Sequence, residues 1–69
     1  MKGMITKPMH DAAMHFHGRA AQYGITPSDM ADIDQVANGY MGACDEIAAY
    51  RGIEKMRAIY KTLDKRCPF

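Results

Sequence analysis

The sequence predicts an all-α fold: a small three-helix domain with a short helix, a long acidic amphipathic helix and a basic C-terminal helix. Three observations carry that prediction. Ala and Met are the most frequent residues, Trp is absent, and Val occurs once, a balance that favours helix over sheet. Apolar residues recur at three- and four-residue spacing through most of the chain. Pro8, Pro27 and Pro68 fall at the ends of those periodic runs, while six glycines are the counter-signal.

The first helix is expected over about 8–23. Pro8 suits a first turn, and Met9, Ala13, Phe16, Ala20 and Tyr23 share one face. Gly24 is a natural residue to follow its end. The second helix is expected over about 27–51. Thr26-Pro27-Ser28-Asp29 supplies a capping hydroxyl, a pre-set proline and an acid at the third helical position. The stripe Met30, Ile33, Ala37, Tyr40, Cys44, Ile47 then runs in one phase. Asn38-Gly39 is a good turn dipeptide and Gly42 a further weak point, each glycine costing about 1 kcal/mol against Ala inside a helix. A turn normally resets the phase, so one continuous helix is expected, with these glycines as points of close approach by a neighbour. The third helix is expected over about 53–66, with Ile53, Met56, Ile59, Tyr60 and Leu63 inward and Pro68 stopping it. At 100° per residue its stripe lies roughly 130° from that of the second helix, which makes Gly52 the expected corner. Residues 1–7 and 67–69 are expected to be flexible.

Sixty-nine residues make one domain, 48% apolar and 25% charged, an ordinary globular balance. A core this small is marginal and often completed by a partner subunit. The second helix also carries an unusually broad apolar face, widened by Val36, Ala43, Ile47 and Tyr50. Such a helix sits between two others or contributes to a dimer, and a homodimer built around it is expected. Cys44 lies on the stripe and reads as core, whereas Cys67 reads as exposed. Without a recognisable signal peptide or an apolar run near 20 residues, the expectation is a cytoplasmic, membrane-free protein with reduced thiols.

The net charge of +1 conceals blocks: residues 27–50 hold five acids and no Lys or Arg, and residues 51–69 hold six bases and two acids. Antiparallel helices that neutralise one another would account for this pattern. His10, Met14 and His17 share one face of the first helix and could meet a soft metal, but three ligands without a thiolate or carboxylate are incomplete. All three histidines lie on the first helix, Cys44 reads as core, and no phosphate loop or nucleophile elbow is present. No enzyme activity and no cofactor are expected. The row Arg57, Lys61, Lys65, with Lys55 beside it, is the candidate nucleic-acid surface. A sequence pI near 7.8 is low for that role. The expected function is a protein–protein interaction module, a regulator or inhibitor. Its candidate contacts are Tyr50, Val36, Arg51, Asp32 and Arg57, with Met14 as a second patch.

Overall fold

A computed structural model describes residues 5–69, and among these every regular element is helical. The helices are α1 (Lys7–Phe16), α2 (Ala20–Tyr23), α3 (Pro27–Met41) and α4 (Glu46–Thr62). α3 is the central helix. α1 runs antiparallel along one side of it, where His10 meets Tyr40 and His17 meets Asp34. α4 runs antiparallel along the other, where Asp32 meets Arg51 and Asp29 meets Lys55. The broad apolar face of α3 is therefore covered from two sides within one chain.

The helix starts follow from local chemistry. The Thr26 hydroxyl accepts the Asp29 amide at 3.2 Å, with Pro27 at the first helical position. The Thr6 hydroxyl accepts the Met9 amide at 3.4 Å. Each bond satisfies an amide that has no partner inside its helix.

The first helix is shorter than expected. It ends at Phe16, and Gly18 turns the chain through φ 75°, a left-handed conformation that glycine adopts without a Cβ penalty. The Arg19 guanidinium donates to the His15 carbonyl, and its amide donates to Phe16 O at 2.9 Å. α2 follows as a single turn and ends at Gly24, φ 66°, as the sequence suggested. Although the helix breaks, Ala13 and Phe16 are buried and Met9, Ala20 and Tyr23 pack against them. The break lets Tyr23 fold back with its ring edge-on to Phe16 at 5.0 Å.

The expected second helix also breaks, not at Asn38-Gly39, which stays helical, but at Gly42, the second weak point. α3 ends at Met41, residues 42–45 form the connection, and α4 begins after Asp45, whose carboxylate accepts the Ala48 amide at 3.1 Å. The Gln35 side chain accepts the Asp45 amide at 3.1 Å and ties the connection to α3. Gly52, expected as a corner, lies buried in the middle of α4. A Cβ there would strike the Asp32 carbonyl and stand 2.9 Å from a Val36 methyl. The close approach expected at Gly39 is present, since a Cβ there would meet Ile5 and the Cys44 thiol, but open space surrounds Gly42. The inner face of α4 combines Ala48, Ala49 and Gly52 with Ile53, Met56 and Ile59. The small residues bring the two helix backbones together, and the large ones fill the core with Phe16, Ile33 and Val36.

α4 ends earlier than expected, at Thr62. Asp64 takes a left-handed φ of 55°, the Asp64 amide donates to Lys61 O and the Lys65 amide donates to Tyr60 O. That pair of bonds is a Schellman closure, here built on Asp instead of the usual Gly. Leu63, expected inward, is exposed. The tail at 67–69, expected to be free, is held. The Phe69 ring meets Tyr60 edge-on at 6.3 Å, and the Arg57 guanidinium lies 5.6 Å from the Phe69 centroid. Of the expected flexible stretch 1–7, residues 1–4 lie outside the described residues. Ile5 packs against the core, and Lys7 opens α1.

Candidate interaction surface

The acid block of the sequence is used mainly inside the chain. Arg51 donates to both Asp32 oxygens, at 3.0 and 3.1 Å. The Lys55 ammonium stands 3.3 Å from Asp29, and His17 Nδ1 stands 3.1 Å from Asp34 Oδ1. Asp45 caps α4, and Glu46 lies in its first turn, where the helix dipole favours an acid. The hydrogen bond and the charge of Asp32 raise the Arg51 pKa further above its ordinary value. The sequence-predicted contacts Asp32 and Arg51 thus clamp α3 to α4, and Lys55 joins that seam instead of the basic row. Val36, another predicted contact, is fully buried beneath them and offers nothing to a partner.

The first-helix histidines face different neighbours. The His10 ring lies 4.8 Å from that of Tyr40, with Nδ1 3.5 Å from Asp11. His15 Nε2 and the Tyr23 hydroxyl share a hydrogen bond of 2.8 Å. His17 sits beyond the end of α1 and pairs with Asp34, so the i, i+4, i+7 spacing of His10, Met14 and His17 does not form one helical face. Met14 is half-exposed. Among the described residues no three His, Cys, Asp or Glu side chains gather as metal ligands. Lys7 donates to both Asp11 oxygens, and that contact holds the carboxyl below its ordinary value. The cysteines form no disulfide; Cys44 packs partly buried against the core as expected, whereas Cys67, expected to be exposed, is partly buried in the folded-back tail.

What stays exposed is the outer face of α4. Ile47, Tyr50, Glu54, Arg57 and Lys61 are all exposed and recur at spacings of three and four. At 100° per residue they fall within an arc of about 80°, roughly opposite the buried face, over an axial length of about 21 Å. The N-terminal end of this row is apolar. Ile47 is 70% exposed and Tyr50 57%; Met41, on α3 and outside this row, is 77% exposed. Its C-terminal end is basic. Arg57, Lys61, Lys65 and Arg66 line a shallow depression of about 430 Å³, together with Asp64 and Cys67. Glu54 accepts from Arg57 at 3.0 Å at the junction of the two ends. Lys65 reaches the depression from the Schellman turn rather than from a helical row.

Sequence reasoning placed Tyr50, Arg57 and Arg66 on the surface but put Ile47 in the core and passed over Met41. The missed signal was the cap at Asp45. Starting a helix there moves Ile47 out of the α3 stripe and onto the outside of α4. A second hollow, of about 210 Å³, lies between the Tyr23–Ile25 turn and Ile59, Thr62 and Leu63. It is smaller than an ordinary small-molecule site. Among the described residues no helix is long and apolar enough to cross a membrane. No protein-family model, curated protein or solved structure matches this chain.

Proposed function

We propose that this protein acts by binding another protein through the outer face of α4, as a regulator or inhibitor and not by catalysis. The observation that carries this reading is the exposed apolar pair Ile47 and Tyr50, three residues apart on the outer face of α4. Large apolar side chains grouped on the surface of a small domain mark interaction sites more often than scattered ones do. Tyrosine beside exposed apolar residues is a common interface anchor. A second copy of this chain is one possible occupant of the same patch, and dimerisation there would leave the internal packing of α3 unchanged.

The test is quantitative capture from host lysate with the tagged chain, with nuclease present, comparing wild type with the double variant Ile47→Ser/Tyr50→Ser. The expected result is one protein retained near stoichiometry by wild type and lost by the variant, with circular dichroism unchanged. A variant that retains every partner would overturn the reading. So would captured material that disappears on nuclease treatment. Light scattering over a concentration series identifies self-association if the captured partner is the chain itself.

A further inference from the structure

Resting on the reading of α4 as the docking face, we infer the chemistry of the partner: an amphipathic helix, acidic in its first turns and apolar further along, laid antiparallel on the row Ile47–Lys61. Charge complementarity carries the inference. The acids of α3 are paired with Lys55, Arg51 and His17, so they do not neutralise the far end of α4. Arg57, Lys61, Lys65 and Arg66 converge there on one depression, against Asp64 alone among its lining residues. Glu54 is occupied by Arg57. A partner covering this row therefore meets apolar surface at one end and excess positive charge at the other. Carboxylates set opposite the depression would be desolvated against guanidinium and ammonium groups, which fixes register and partner choice.

The direction follows from dipoles and from where acids stabilise helices. Acidic residues are favoured in the first turn of a helix. A partner with its acids there places its positive N-terminal end beside the negative C-terminal end of α4. Its later turns then reach Ile47 and Tyr50. A nucleic-acid backbone fits less well. The four cations occupy one end only, and Asp45 and Glu46 flank Ile47 at the other, where they would repel phosphates laid along the row.

The test uses the intact protein and three labelled probes in fluorescence anisotropy. The first is a helical peptide as long as α4, with glutamates in its first two turns and leucines on the same face thereafter. The second is the same peptide with glutamine for glutamate. The third is duplex DNA of comparable length. The acidic peptide should bind more tightly than the glutamine peptide, and added salt should narrow the gap. Lys61→Glu/Lys65→Glu should weaken the acidic peptide at least about tenfold and leave the glutamine peptide unchanged. Ile47→Ser/Tyr50→Ser should weaken both. Glu54→Gln, which removes the only acid of the row, should strengthen the acidic peptide. Equal binding of the two peptides, with no effect of Lys61→Glu/Lys65→Glu, would overturn the acidic assignment and leave the apolar docking face standing. Loss of binding to both peptides at all concentrations, or tighter binding to the duplex, would overturn it as well. If Ile47→Ser/Tyr50→Ser weakens neither peptide, the docking face itself fails.

Discussion

The two faces of α4 obey different rules although they belong to the same seventeen residues. The inner face is read by volume. Ala48, Ala49 and Gly52 are small because the α3 backbone passes close by, and Ile53, Met56 and Ile59 are large because they complete the core around Phe16 and Ile33. The outer face is read by sign and exposure, apolar at Ile47 and Tyr50 and cationic from Arg57 onward. Those outer side chains are exposed, and Arg57 among them touches Glu54 and the Phe69 ring. The inner face specifies the fold, and the outer face is free to specify a partner.

Substitutions can break this contrast, and the largest effects should come from the inside. Met56→Ala empties the centre of the core and should cost about 2–5 kcal/mol in urea unfolding, a large share of the stability of a domain this size. Gly52→Ala should cost about 1–3 kcal/mol, because the added methyl meets the Asp32 backbone and Val36. The sign is opposite to the usual gain of Ala over Gly inside a helix. Gly42→Ala, with open space around it, is the control and should change stability little. A Gly52→Ala variant as stable as wild type would mean that α3 and α4 are not held at this distance.

Asp64→Gly should stabilise the protein by about 0.5–1 kcal/mol by relieving the left-handed conformation at the end of α4. A loss would show that the Asp64 side chain contributes more to the turn than its backbone costs. On the outer face, Tyr50→Ser alone should shift stability by no more than about 0.5 kcal/mol, only two residues from Gly52. If Tyr50→Ser unfolds the protein, the outer face is structural and the docking proposal loses its ground.

Tyr60 lies at the edge between the faces, its ring 5.5 Å from Phe16 and 6.3 Å from Phe69. Burial, helped by the nearby Cys67 and Tyr23, pushes its phenol above the ordinary value of 10.0. The neutral form is therefore favoured in the folded state. Its contribution is complete below the unfolded value and is lost as pH rises through the higher folded value. A small alkaline decline in stability, removed by Tyr60→Phe, is the expected observation in denaturant titrations across that range.

Much of this architecture can be traced to local sequence. Thr26-Pro27 starts α3 and Gly24 ends α2 because cap chemistry acts over only a few residues. The inward residues of the first segment and of Ile53–Tyr60 follow from period. The acid and base blocks foretold the pairing of α3 with α4, because opposite charges on antiparallel neighbours come into register. The errors share a cause. The stripe from Ile33 through Tyr40 and Cys44 to Ile47 keeps helical phase across a connection that is not helical, so periodicity alone joined two helices. It also turned Gly52, a packing glycine, into a corner. Asp45 as a cap, with Ala48, Ala49 and Gly52 in phase with Met56, was the local evidence for the alternative. Small residues give a weak hydrophobic signal, so that face did not register.

The sequence by itself determined that the chain is helical, where α3 starts, that Phe16, Ile33, Ile53 and Met56 face inward and which charges balance. Those properties depend on backbone preference, cap chemistry and period, all of them short-range. Only the tertiary structure decided that α3 lies between α1 and α4 and that Val36, Asp32 and Arg51 belong to an internal seam. It also decided that Met41, Ile47, Tyr50 and the Arg57–Arg66 cations remain on the outside. Those outcomes depend on which helix surfaces approach closely enough to exclude water, and that is settled by the packing of residues distant in sequence.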